Sequence, residues 1–92
     1  MIQLRTGPNV LRSAYLVAPD SPRGAFYTIW VECNGEQYRV CKASGAHARV
    51  WHRQLWDCQS LEDAEKLFQR RLRDKTNPHR KTRRYVLVLS LP

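Results

Sequence analysis

Asn34-Gly35 stands between two runs rich in β-branched and aromatic residues, Phe26-Tyr-Thr-Ile-Trp-Val-Glu-Cys33 and Glu36-Gln-Tyr-Arg-Val-Cys41. Asn-Gly in that setting favours a two-residue type I′ turn, because both central positions need positive φ. The turn then sets the register: Cys33 opposite Glu36, Val31 opposite Tyr38, Ile29 opposite Val40. Side chains alternate across a strand, so Tyr27, Ile29, Val31, Tyr38 and Val40 share one face, which is assigned to the core. Trp30 and Arg39 share the other, within reach of a cation–π contact.

The second constraint is a capped amphipathic helix over about residues 61–75. Ser60-Leu-Glu-Asp63 is a capping-box-like start, with Ser60 as N-cap. Leu61, Ala64, Leu67, Phe68 and Leu72 recur at helical spacing and form the apolar stripe. Glu62, Asp63 and Glu65 lie in the first turns, and Arg70, Arg71, Arg73 and Lys75 in the last, an order that suits the helix dipole. Asn77-Pro78 ends the helix.

Around these two anchors the rest of the chain falls into place. Residues 1–9 read as an irregular lead-in and Val10 to Val17 as a first strand. Ala18-Pro-Asp-Ser-Pro-Arg-Gly24 is dense in turn formers. Ala43-Ser-Gly45 reads as a turn and His47 to Trp56 as a strand, with Arg49, Trp51 and Arg53 on one face and Val50, His52 and Trp56 on the other. Tyr85-Val-Leu-Val-Leu-Ser-Leu91 is apolar enough to be a central strand. Strand, hairpin, strand, helix, strand predicts an α+β fold: an antiparallel sheet with one helix packed on it, in a single domain over residues 1–92.

Charge bounds the function. Sixteen Lys and Arg against eight Asp and Glu give +8, an excess that repels itself and calls for an anionic partner. Eight of the sixteen fall between Arg70 and Arg84, with Asp74 the one acid among them. Lys66, Arg70 and Arg73, at i, i+4 and i+7, line one exposed helix face. Lys75, Arg80, Lys81, Arg83 and Arg84 continue the cluster into the loop. Arginine predominates, and its planar fork suits phosphate oxygens. Arg49, Trp51 and Arg53 are a second candidate, able to stack a base and hold its phosphates; Trp51 could equally pack into the core. Nucleic acid is the partner these patterns favour, DNA ahead of RNA. An acidic protein comes next, and a membrane last, since the helix's apolar stripe is needed for the core.

Other chemistry finds little support. Cys33, Cys41, His47, His52 and Cys58 lie close in sequence but lack the paired spacings of a zinc site. Cys58 with His52 or His47 lacks a third group or an oxyanion loop, and there is no Gly-rich phosphate-binding motif. The expectation is a binding module, not an enzyme, with no cofactor and no metal. Three unclustered cysteines and the lack of an apolar run to span a membrane favour a cytoplasmic location with free thiols, and the chain is expected to be a monomer.

Phe26-Tyr-Thr-Ile-Trp-Val31, Gln37-Tyr-Arg-Val40, Ser60-Leu-Glu-Asp-Ala-Glu-Lys-Leu-Phe68, Asp74-Lys-Thr-Asn77 and Arg84-Tyr-Val-Leu-Val-Leu89 together resemble the WGR domain of poly(ADP-ribose) polymerases and of small bacterial modules. The resemblance covers about residues 25–90 and implies a hairpin, a further strand, a helix ending near Lys75-Thr76 and a last strand. The family's Trp-Gly-Arg triplet, which contributes to binding DNA ends, is not retained: Lys42-Ala-Ser-Gly45 stands in its place. The triplet's role therefore does not carry over, and Trp51 with Arg49 and Arg53 is the candidate substitute.

Overall fold

The computed structural model describes residues 5–91. Its elements run β1 (Val10–Val17), β2 (Phe26–Asn34), β3 (Gln37–Ala46), β4 (Arg49–Cys58), α1 (Leu61–Thr76) and β5 (Val86–Leu91). All neighbouring strands are antiparallel, in the order β4-β3-β2-β1-β5. The fold is α+β, a five-stranded antiparallel sheet with one helix against it, as the sequence predicts. The lead-in expected over residues 1–9 is described from Arg5 onward; residues 1–4 lie outside the described residues.

The hairpin forms, but its loop is Gly35-Glu36, closed by Asn34 opposite Gln37. Gly35 has φ +69 and Glu36 is not in the positive region, so one residue of positive φ, not two, makes the turn. Sliding a loop by one position moves the register by two: Val31 faces Val40, Cys33 faces Tyr38 and Ile29 faces Lys42. A shift of two preserves the side of every side chain. The expected face therefore survives, with Tyr27, Ile29, Val31 and Val40 buried beneath the helix and Tyr38 packed at the rim. The Trp30–Arg39 contact does not survive. Arg39 faces Glu32 across the strands, and the cation over Trp30 is Arg5, 4.5 Å from the ring centroid.

The expected turn at Ala43-Ser-Gly45 is a correction of a different kind. β3 runs through these residues to Ala46, and the turn is His47-Ala48, both at positive φ. Histidine tolerates that region better than alanine does, and neither advertises it in the sequence. A β-bulge follows: Ser44 pairs with His52 but Gly45 with Val50, which leaves Trp51 as the extra residue.

Helix α1 starts where its cap dictates, with Ser60 Oγ accepting from the Asp63 amide at 3.1 Å. It ends at Asn77, whose amide donates to the Asp74 carbonyl. Ala64 and Phe68 are its buried residues, with Leu67 and Leu72 packed beside them. Leu61, expected in the stripe, is 41% exposed. The largest departure is β5. Read as central, it is an edge strand that among the described residues pairs only with β1, and all six of its residues are exposed.

Candidate functional site

The antiparallel order brings particular loops to particular ends of the sheet. The end of β1, the start of β2, the β3–β4 turn, the end of α1 and the start of β5 meet at one end. There the His47 amide donates to the Arg23 carbonyl at 2.9 Å and the Tyr85 amide to the Lys75 carbonyl at 3.0 Å. Dividing the fold at the level of Trp30 puts twelve of the sixteen Lys and Arg in that half, with only Asp20 and Asp74 of the eight acids. The halves carry net charges of +10 and −2, so the molecule is polarised along its strands.

Within the basic half the expected site residues divide by what they already hold. Arg70 and Arg73 on α1, and Lys81 and Arg83 in the following loop, are exposed and have no ion-pair partner among the described residues. Arg80 is spent on structure. Its side chain is only 18% exposed, it reaches Asp74 Oδ2 at 3.4 Å, and it donates to Thr82 Oγ1 at 2.9 Å. Arg84 donates to the Pro78 carbonyl at 3.2 Å and approaches Asp20 Oδ2 at 3.6 Å. These contacts hold the loop against residues 18–22, leaving a concavity of about 410 Å³ that Lys81 and Arg83 also line. Of the two, Arg80 is largely withdrawn from solvent, whereas Arg84 stays 53% exposed.

Lys75 lies inward of that surface. Its ammonium sits 5.0 Å from the Tyr27 ring centroid and 5.9 Å from that of Tyr85. Burial, then the neighbouring Arg80, Arg71 and Lys42, lowers its pKa from the usual lysine value. Lys66 lies in the acidic half and pairs with Glu62 one turn back at 3.3 Å, an exposed contact worth only about 0.3–0.5 kcal/mol.

The second candidate is broken by the bulge. Arg49 pairs with Ala46 and Arg53 with Ala43, residues on opposite faces of β3, so Arg49, Trp51 and Arg53 do not share one face. All three are exposed, and Trp51, at 57%, is not a core residue. They stand on the outer edge of the sheet rather than across a flat strand surface. Val50 likewise leaves the face of His52 and Trp56 and packs on the small cluster of Trp30, Cys41 and Ala43.

Two cations that sequence reasoning did not single out emerge here. Lys42 shares the helix-side face of β3 with Val40, and its ammonium lies 5.7 Å from the Tyr27 ring centroid. Arg71 Nε donates to the Tyr27 hydroxyl at 3.3 Å, with its guanidinium 4.7 Å from the Trp56 ring centroid. The available signal was parity: a lysine two residues after Val40 sits on the face already assigned to the core.

Among the described residues no three His, Cys, Asp or Glu side chains group so as to hold a metal ion. Cys33 and Cys41 fall on opposite faces of the sheet. No helix among them is long and apolar enough to cross a membrane. Compared with protein families, curated proteins and solved structures, the chain matched none.

Proposed function

We propose that the chain is a nucleic-acid-binding module, favouring DNA, that grips the phosphate backbone with its basic end and carries out no reaction of its own. The observation that carries this is the separation of charge into halves of +10 and −2. A one-sided field of that kind orients an approaching polyanion and speeds its capture. Arg70, Arg73, Lys81 and Arg83 supply the free cations, and Arg49 and Arg53 extend the surface to the β4 edge. Backbone contacts of this sort fix position and carry little sequence information. Trp51, exposed beside them, offers a ring for an unpaired base. The resemblance of residues 25–90 to the WGR domain bears on the fold; the family's DNA-binding triplet is absent, so it does not select the polymer.

A second reading, docking on an acidic protein, draws on the same charges. What favours it is β5, whose exposed Val86, Leu87, Val88, Leu89 and Leu91 offer a strand edge that a phosphate backbone does not need. An NMR titration with short DNA and RNA duplexes and single strands separates the two. Binding to nucleic acid shifts amides of residues 70–84 and 47–53 and leaves the 32–37 hairpin and β5 untouched. No shift with any oligonucleotide at low salt transfers the case to the protein partner.

A further inference from the structure

On the helix side of the sheet, away from the exposed loop, three cations converge on one buried phenol. Arg71 Nε is 3.3 Å from the Tyr27 hydroxyl, and the Lys75 and Lys42 ammoniums are 5.0 and 5.7 Å from its ring centroid. Tyr27 itself is fully buried, whereas the three cations are half-buried and remain within reach of a solute. Lys42 Nζ also lies 3.1 Å from Ser44 Oγ, a hydroxyl free to turn its hydrogen outward.

No carboxylate is paired with any of the three among the described residues. The nearest acid in sequence, Asp74, is occupied by Arg80. Elsewhere in the fold, half-buried cations are matched: Arg12 meets Glu65 at 3.1 Å and Arg39 meets Asp57 at 3.0 Å. Aromatic faces offset only part of the cost of bringing like charges together out of water. Burial, and then Arg71 beside Lys42 and Arg80, Arg71 and Lys42 beside Lys75, lower the pKa of both lysines from the usual value. A guanidinium fork and ammonium groups are the donors that a dianionic oxyanion takes on its oxygens.

We infer that Lys42, Arg71 and Lys75, with Ser44 beside them, form a phosphate-binding site on the helix side of the sheet. This deepens the nucleic-acid reading if the phosphate belongs to a polymer, but it does not require it, because a free phosphorylated molecule offers the same chemistry. The site is distinct from the Lys81–Arg83 surface and takes one phosphate group rather than a length of backbone.

The test uses the full chain with inorganic phosphate and pyrophosphate as probes, against chloride at matched ionic strength. Phosphate should give saturable NMR shifts at Tyr27, Lys42, Ser44, Arg71 and Lys75, raise the melting temperature, and return the side-chain pKa values of Lys42 and Lys75 upward. Lys42→Met and Lys75→Met should each weaken phosphate binding about tenfold or more, the loss expected for one charge-assisted contact. Both should stay folded, since each removes a repelling charge. If Lys75→Met does not fold, Lys42→Met carries the test alone. A phosphate effect no larger than that of chloride, or variants that bind phosphate as the parent does, would overturn the site and leave a purely structural cation–π cluster. A parallel arm with duplex DNA separates the two readings. Phosphate binding without DNA binding keeps this site and removes the polymer. DNA binding that Lys42→Met leaves unchanged, with no phosphate effect, removes this site and keeps the polymer.

Discussion

At Gly45 the backbone of β4 comes so close that a methyl group on the α carbon would run into the Arg49 carbonyl. The requirement is space, since Gly45 is not at positive φ. Gly45→Ala must push β3 and β4 apart at the bulge, and overpacking of this kind costs about 1–3 kcal/mol. Urea unfolding should show the midpoint falling with little change in slope; an unchanged midpoint would mean the bulge yields freely. Cys41 makes a second residue-scale prediction. Burial first, then Glu32, pushes its thiol up from 9.0 to about 12. Below pH 9 the folded and unfolded chains both hold the proton. Between pH 9 and 12 the unfolded chain releases it and the folded chain keeps it, so this group's contribution to stability is lost as pH rises. Lys42 and Lys75 act in the opposite sense, because their lowered values leave the unfolded chain with more protons as pH approaches the usual lysine range. The difference between parent and Cys41→Ala isolates the thiol. The parent's stability advantage should shrink as pH climbs from 9, and a difference that does not vary with pH would remove Cys41 from the account.

The helix shows how two residues of one apolar pattern can carry different weight. Phe68 is 2% exposed and belongs to the core cluster that holds Ala14, Ile29 and Val31, whereas Leu61 is largely exposed. Phe68→Ala should cost about 3–5 kcal/mol; Leu61→Ala should stay within about 0.5 kcal/mol. Equal losses in a denaturant series would show that the helix is seated differently. Two elements had legible boundaries: β1 matches the predicted strand, and α1 runs one residue past its predicted end, because cap, stripe and Asn-Pro stop all point the same way; β4, read as His47 to Trp56, lies two residues later at both ends. The hairpin's faces were legible even though its loop slid, because parity survives a shift of two. The β3–β4 turn was not, since His47-Ala48 carries none of the Gly or Asn signal that positive φ usually leaves. Nor was the place of β5, because an unbroken apolar run has the same pattern in a buried central strand and in an exposed edge.

At the scale of the whole molecule, function rests on how antiparallel connections sort charge. The sequence reveals a cluster between Arg70 and Arg84, but not that the β3–β4 turn and residues 18–25 join it at the same end. It does not reveal which cations are already taken either. Arg80 and Arg84 look as free as Lys81 and Arg83 until the fold brings Asp74 and Asp20 to them. The convergence of Lys42, Arg71 and Lys75 on Tyr27 is equally invisible without the register. The central claim is that the free cations of the basic end hold nucleic-acid backbone, and each phosphate they neutralise releases condensed counterion. The direct measurement is the affinity of the full chain for a fluorescent DNA duplex over a range of salt, for the parent and for Arg70→Glu/Arg73→Glu/Lys81→Glu/Arg83→Glu, which avoids the cations that hold the loop. With roughly four to six phosphate contacts, the parent's affinity should fall about four to five decades for a tenfold rise in salt. The folded variant should bind far more weakly to every duplex, with a flattened salt dependence. A parent that does not bind at low salt, or a variant that matches its affinity and slope, would contradict the account.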